Sequence, residues 1–324
     1  MIRYLTRFEN LLLATYSYIK SEVTRSTIVH GMPLSIGIEL TNHCNLKCPE
    51  CLSGSGLMQR ERGFMDIELY KKIMKELSPF LFSINLYFQG EPMMHPQFFD
   101  FLRVINNPRT VVSTNGHFLD WDSSQEIVKS GLHKLIISLD GIDHESYSAY
   151  RINGNFTKVI EGIRNITEAK KKFKSALKIE IQFLVNRLNE HQIPDAEELA
   201  KRYSVNLRLK SMQVINKEET DFWMPEKVQF RRYSYKNGEY IIDSSLPDRC
   251  ARLWFNPVIT WDGKVVPCCF DKDAEHVMGD INYETFRQIW RGQKYSIFRR
   301  SILSGRDKVL ICRNCTSGLR GVKY

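Results

Sequence analysis

The stretch Thr41-Asn42-His43-Cys44-Asn45-Leu46-Lys47-Cys48-Pro49-Glu50-Cys51 decides how the rest of the chain is read. It sets three cysteines at a C-x3-C-x2-C spacing on one short loop, directly after the strand pattern Leu34–Thr41. Thiolates are soft ligands that suit zinc or iron–sulfur clusters. A closed structural zinc site needs four ligands. His43 is a possible fourth, but its position beside Cys44 gives poor geometry. Three close thiolates suit a [4Fe–4S] cube with one iron left open.

Outward from that loop the chain alternates. Strand patterns recur at Phe82–Tyr87, Thr110–Thr114, Lys134–Leu139, Leu177–Val185 and Asn206–Lys210. Between them lie helical stretches at Asp66–Leu77, Gln97–Asn106, Ser123–Ser130, Phe156–Lys174 and Pro194–Tyr203. Asn115–Gly116 and Asp140–Gly141 punctuate strand ends. Six βα-type repeats call for an α/β fold with a parallel sheet, open or curled into part of a barrel. Ligands on such sheets sit at the carboxyl ends of the strands, which is where the three cysteines fall. Upstream, residues 1–32 read as one helix. Its Ile2, Leu5, Phe8, Leu12, Tyr16 and Ile19 recur every three or four positions, a face assigned to packing on the main domain rather than to a membrane surface. Residues 216–247 break the alternation and read as a connector.

The 324 residues can bury a large core without a staple. A hydrophobic content of 43% and a charged content of 26% exclude a disordered, collagen-like or integral membrane chain. The apolar run Leu11–Ala14 is too short to span a bilayer. No signal-peptide pattern stands out, so the expected location is cytoplasmic. The net charge of +9 suits acidic small molecules, a peptide or a lipid surface without selecting among them. Five further cysteines, Cys250, Cys268, Cys269, Cys312 and Cys315, all fall beyond residue 249. In a cytosolic chain such clusters point to metal or redox chemistry rather than disulfides.

The cysteine loop after the first strand resembles the signature of the radical S-adenosylmethionine (SAM) superfamily, and later strand ends extend the likeness. The second strand ends Phe88-Gln89-Gly90-Glu91-Pro92, similar to the family's GGEP motif with Gln89 in place of its first glycine. The third ends Ser113-Thr114-Asn115-Gly116 and the fourth Ser138-Leu139-Asp140-Gly141, with Arg151 downstream. The resemblance implies a partial (β/α)6 barrel over residues 33–215. Cys44, Cys48 and Cys51 would hold three irons of a [4Fe–4S] cluster, and the fourth iron would bind the amino and carboxylate groups of SAM. It implies reductive cleavage of SAM to methionine and a 5′-deoxyadenosyl radical that abstracts hydrogen from a substrate. The cofactors carry that chemistry while the protein binds, orients and tunes. The implied SAM-binding set is Gly90, Glu91, Ser113, Asn115, Ser138, Arg151 and Gln182. In it Glu91 accepts from the ammonium, Ser138 meets the ribose, and the planar fork of Arg151 holds the carboxylate. Glu50 departs from the aromatic residue that relatives usually carry before the third cysteine.

Cys250 with Gly263 and Cys268, then Cys312-Arg313-Asn314-Cys315, resembles the pattern of the SPASM and twitch extensions of radical SAM enzymes. It implies a small cysteine-rich α+β domain over residues 248–324. One auxiliary [4Fe–4S] cluster would sit on Cys250, Cys268, Cys312 and Cys315, making two clusters in all. Cys269 is a spare that can exchange with Cys268, and zinc is the alternative occupant. A fully thiolate-ligated cluster has no open iron and moves an electron. A substrate radical that lost an electron and a proton would complete a two-electron oxidation, with Asp271 or Lys210 as the candidate base. The implied enzyme oxidises or epimerises a small or carrier-bound carbohydrate-like alcohol, or modifies a peptide or protein side chain. A non-catalytic iron–sulfur or zinc protein is the other reading. The implied electron source is a low-potential donor of flavodoxin or ferredoxin type, and neither nucleic acid nor a membrane is an expected partner.

Overall fold

A computed structural model describes residues 2–104, 108–242, 244 and 246–315, with side chains from Leu5 onward. After helix α1 (Ile2–Thr24) come six strands: β1 (Ser35–Ile38), β2 (Ser83–Asn85), β3 (Arg109–Thr114), β4 (Lys134–Ser138), β5 (Lys178–Val185) and β6 (Asn206–Ser211). Each neighbouring pair is parallel. The crossovers carry α2 (Leu52–Ser55), α3 (Ile67–Leu77), α4 (Phe98–Val104), α5 (Trp121–Lys129), α6 (His144–Tyr150), α7 (Phe156–Lys172) and α8 (Ile193–Tyr203). This is the partial (β/α)6 barrel that the alternation calls for. The last two residues of the expected 97–106 helix, and 316–324 of the expected 248–324 region, lie outside the described residues.

Strand side chains alternate between faces. Ile36, Ile38, Ile84, Val112, Leu135, Ile137, Ile179 and Ile181 are buried under the helices, against Tyr70, Ile73, Phe101, Ile127 and Ile163. The alternate positions turn inward and are mostly polar. Register sets Ser138, Gln182 and Arg208 side by side on three adjacent strands. Among the described residues β6 and β1 do not pair, so the barrel is open on that side.

The cysteine-rich region does not stand apart from this sheet. Strand β9 (Val258–Ile259) pairs parallel with β1. It then pairs antiparallel with β10 (Lys264–Val266), which pairs with β11 (Gly279–Asp280). The described strands thus form one nine-stranded sheet, ordered β11-β10-β9-β1-β2-β3-β4-β5-β6. The connector has structure of its own. Helix α9 (Thr220–Trp223) precedes a hairpin of β7 (Tyr233–Lys236) and β8 (Glu239–Ile242). Asn237 and Gly238 both take positive φ at its two-residue turn, as that tight turn requires. Helices α10 (Arg252–Phe255), α11 (Phe286–Arg291) and α12 (Gln293–Gly305) are the remaining described α-helices. In α12, Tyr295, Phe298 and Ile302 have helical spacing and are buried.

Helix α1 corrects an expectation. Its apolar face does not pack on the domain: Leu5, Phe8, Leu12, Tyr16 and Ile19 are each more than half exposed, and Val23 is 75% exposed. The opposite face, with Asn10, Ala14, Ser17 and Ser21, is buried. It lies along the extended segment 28–32, whose backbone it satisfies. Met32 N donates to Asn10 Oδ1 at 2.7 Å, His30 N to Ser17 Oγ at 2.9 Å and Ile28 N to Ser21 Oγ at 2.9 Å. A Cβ on Gly31 would come within 2.5 Å of the Ala14 backbone. Only small and polar side chains permit that approach, so they win the buried face. The side chain of Ile2 lies outside the described residues.

The C-terminal helices are locked by a buried cation. Arg299 is fully buried, with its guanidinium 3.9 Å from the Tyr295 ring centre and 4.3 Å from that of Trp290. It donates to Leu253 O at 3.0 Å and Trp290 O at 2.7 Å. Burial holds its pKa down at about 10. Arg299→Met keeps the volume but strands both carbonyls, at about 1–3 kcal/mol each, partly offset by relief of desolvation. The expected net loss is about 2–4 kcal/mol in urea unfolding of the holoprotein. An unchanged midpoint would contradict this account.

Candidate active site

Cys44, Cys48 and Cys51 follow β1 on a loop with little internal bonding, so it is held from outside. Asn42 is fully buried; its Nδ2 donates to Glu61 O and its Oδ1 accepts from Gly63 N. Lys47 N donates to Ile152 O at 2.9 Å. From the β2 end, Gly90 N donates to Ser53 Oγ at 3.0 Å and Glu91 N to His43 O at 2.8 Å. Gly90 has φ +73°, and a Cβ there would stand 2.6 Å from His43 O and 2.7 Å from the Asn42 backbone. Glycine is therefore required twice, for the left-handed backbone and for the close approach.

The sequence assigns Glu91 to the SAM ammonium, but the structure gives its carboxylate to protein donors. It accepts from Thr114 Oγ1 at 2.8 Å, Asn115 N at 2.6 Å and Met93 N at 3.1 Å. Burial pushes its pKa up to about 7 against those bonds. Glu91 thus braces the β2 end to the β3 end. Asn115 carries the brace back to the cysteine loop, its Nδ2 donating to Asn45 Oδ1 at 2.7 Å.

Arg151 reaches the same loop from beyond α6. Its Nη1 lies 3.6 Å from Cys48 Sγ, while Nε donates to Asp140 Oδ2 at 2.6 Å. Asp140 is itself buried and accepts from Leu184 N at 2.8 Å. It orients Arg151. Sequence reasoning took Asp140 only as a turn residue, because Asp-Gly carries that signal whether or not the carboxylate has a partner. Ser113, Ser138 and Gln182 make no side-chain hydrogen bond among the described residues. Burial pushes the Cys44 thiol up to about 12, and Cys48 is raised by burial against the lowering effect of Arg151. Such thiols become ligands only as a metal displaces their protons.

A second site lies among α10, β10 and the C-terminal turns. Cys250, Cys268, Cys312 and Cys315 line one cavity with apolar walls of Leu253, Phe270, Phe298 and Ile302. Arg252 and Arg306 also reach it. Burial pushes Cys312 up to about 11 and raises Cys250 and Cys268. Four thiols around a small, largely apolar cavity lined also by two arginines fit an anionic, fully thiolate-ligated cluster. Cys269 is outside this cavity, and its Sγ takes a 3.4 Å contact from Arg252 Nη1.

The two candidate bases are placed very differently. Asp271 is buried with both oxygens engaged, accepting from Glu275 N at 2.9 Å and His276 N at 3.0 Å. It holds its own turn. The Lys210 side chain projects from β6 on the same face as Arg208 and makes no hydrogen bond or ion pair among the described residues. Burial and the neighbouring Arg208 lower its pKa. Lys272 went unremarked in the sequence. It donates to Gln213 Oε1 at 3.0 Å, and burial lowers its pKa against the raising effect of Cys51 and Cys269. Glu50, the departure from the aromatic pattern, accepts from the backbone N–H groups of Ile215 and Asn216. It ties the cysteine loop to the connector.

A sheet of this topology with three cysteines at the first strand end, and a four-cysteine cavity beside it, fits an iron–sulfur protein. Comparison with known proteins agrees. Residues 38–200, just over half of the chain, match the model of the radical SAM superfamily, and residues 250–316 match the SPASM iron–sulfur cluster-binding domain. The chain belongs to the radical SAM superfamily, whose cofactors are SAM and a [4Fe–4S] cluster, with further iron–sulfur binding in the SPASM region. It is 27% identical to a tungsten-containing aldehyde ferredoxin oxidoreductase cofactor-modifying protein of Pyrococcus furiosus, over 81% of this chain and 82% of that one. It is 25% identical to the S-adenosyl-L-methionine-dependent 2-deoxy-scyllo-inosamine dehydrogenase of Niallia circulans, over 87% and 92%. A mycofactocin maturase of Mycobacterium tuberculosis is 27% identical, but the match spans 54% of its length. The fold is shared with BtrN in complex with AdoMet and 2-DOIA (TM-score 0.55, 20% identity, 91% of this chain and 98% of that one). It is also shared with Streptococcus suis SuiB bound to S-adenosylmethionine (TM-score 0.65, 14% identity, 96% and 78%). Among the described residues no helix is long and apolar enough to cross a membrane.

Gly90→Ala is expected to displace the cysteine loop and lower both iron content and SAM binding. Glu91→Ala removes the brace and is expected to weaken SAM binding while iron stays bound. Iron analysis and SAM titration check both; wild-type values in Gly90→Ala would contradict the role given to that contact.

Proposed function

We propose that this radical SAM enzyme oxidises a carbinol carbon of a small or carrier-bound alcohol of carbohydrate or aminocyclitol type, in the cytoplasm. The observation that carries the reading is the small cavity lined by Cys250, Cys268, Cys312 and Cys315, which offers four thiol ligands, enough to ligate every iron of a cluster. When bound, the first cluster supplies the electron that cleaves SAM to methionine and the 5′-deoxyadenosyl radical, and the auxiliary cluster takes up the second electron of the oxidation. Summed over one turnover, cationic SAM and the alcohol give methionine, 5′-deoxyadenosine, the ketone and one proton.

The residues divide the remaining work. Cys44, Cys48 and Cys51 leave one ligand position for the amino and carboxylate groups of SAM. Arg151, held by Asp140 beside Cys48, faces that carboxylate. Ser113, Ser138, Asn115 and Gln182 line the path along the strand ends, with Gly90 and Glu91 fixing the loop that frames it. Lys210, its pKa lowered by burial, accepts the hydroxyl proton. Asp271 supports the turn carrying Cys268 and Cys269. A flavodoxin- or ferredoxin-type donor supplies the low-potential electron. The near end-to-end match to the Niallia circulans dehydrogenase supports a small substrate. Peptide modification, the second reading, rests on maturase matches that span about half of those proteins.

With 2-deoxy-scyllo-inosamine deuterated at its carbinol carbons as the probe, deuterium is expected in 5′-deoxyadenosine. Lys210→Met is expected to cut ketone formation by about 10²–10⁴-fold while SAM cleavage persists. Cys312→Ala is expected to keep the first cluster and SAM cleavage but lose the ketone. Deuterium transfer from a peptide and not from any alcohol would replace this reading with the second.

A further inference from the structure

The outer face of α1 is not accounted for by the chemistry of the barrel. Leu5, Phe8, Leu12, Tyr16, Ile19 and Val23 form one exposed stripe, with Leu13 beside it. At the helical rise the stripe is about 27 Å long. Its spacing of three, four, four, three and four residues keeps it straight along the helix. The helix cannot roll to bury it, because Asn10, Ser17 and Ser21 are bonded to segment 28–32 on the inner face. Arg7 Nη2 also donates to Ser78 O.

A basic rim accompanies the stripe. Lys20 is exposed on the same face. Tyr16 meets the His30 ring at 5.9 Å, and His30 O accepts from exposed Arg291 at 2.6 Å. Thr27 Oγ1 donates to Ser296 O, which sets α12 alongside. There Lys294 is exposed, and Ile297, 59% exposed, adds a further apolar side chain. Glu9 is the exposed acid on the outer face of the described part of α1.

We propose that this ridge seats the protein on the surface of an anionic lipid bilayer, with α1 lying in the interface. A convex apolar ridge rimmed by Lys and Arg fits a penetrable, negatively charged plane. A second copy of the chain fits it less well. The ridge covers only about 300 Å² per copy, about 600 Å² in total, against the roughly 1,200 Å² of a stable interface, and two basic rims would face each other. The ridge also lies away from the first cysteine group. Its partners, Met32 and Ser78, precede β1 and β2, whereas the cysteine loop follows the carboxyl end of β1. Seated this way, the barrel mouth stays open to substrate and reductant.

The test is flotation of the reconstituted holoenzyme with vesicles of phosphatidylcholine alone and of phosphatidylcholine with phosphatidylglycerol. Binding to the anionic vesicles alone is expected, weakening by about fivefold for each lysine removed in Lys20→Ala and Lys294→Ala. It should vanish in the double variant L12E/I19E, with iron content and 5′-deoxyadenosine formation unchanged. Absence of binding to anionic vesicles overturns the proposal, as does binding that L12E/I19E leaves intact. A wild-type dimer in light scattering that L12E/I19E converts to monomer also overturns it, by assigning the ridge to self-association.

Discussion

The contact between Gly90 and the Asn42–His43 backbone is the constraint on which the site depends. The cysteine loop makes few bonds of its own, and three thiols on a free loop would not hold a cluster at a fixed position. The β2 end supplies that position. Gly90 packs against the loop where a Cβ would collide, and Glu91 closes a hydrogen bond to His43 O. The Glu91 carboxylate then passes the constraint to β3 through Thr114 and Asn115, and Asn115 returns it to Asn45. One short sequence thus fixes the loop, two strand ends and the floor on which SAM would rest.

The second cysteine group inherits its position from the same sheet. Because β9 pairs with β1, the strand that leads toward the auxiliary cavity is hydrogen-bonded to the strand that launches the first cysteine loop. Two further ties cross between the regions. Glu50 binds the connector backbone at Ile215 and Asn216, and Tyr233 Oη donates to Asn314 Oδ1 at 2.6 Å beside the last cysteines. A fixed separation bridged by protein suits electron movement better than two independently hung domains would.

Much of this was legible in the sequence, and the exceptions have physical causes. The six strands and their helices were readable because each buries one apolar face under a helix, and that periodicity survives in a single sequence. The cysteines were readable because ligand chemistry demands particular residues at particular spacings. What was hidden depends on pairing. The β9–β1 ladder is made of backbone bonds over two residues, too short to leave a pattern. Asp140 and Asp271 look alike as acids near turns, yet in the fold one holds Arg151 and the other its own loop. In α1 periodicity gave a helix that ends at Thr24 rather than at residue 32, and the wrong buried face, because hydrogen bonding to the non-helical segment 28–32 and the Gly31–Ala14 approach outweighed apolar burial.

The central claim is that the two cysteine groups are cluster sites of a SAM-cleaving enzyme. The most direct measurement is anaerobic reconstitution of the wild-type chain, with iron and sulfide counted before dithionite and SAM are added. About eight irons per chain and formation of 5′-deoxyadenosine are the expected result. Zinc in place of iron, or iron with SAM left intact, would contradict it.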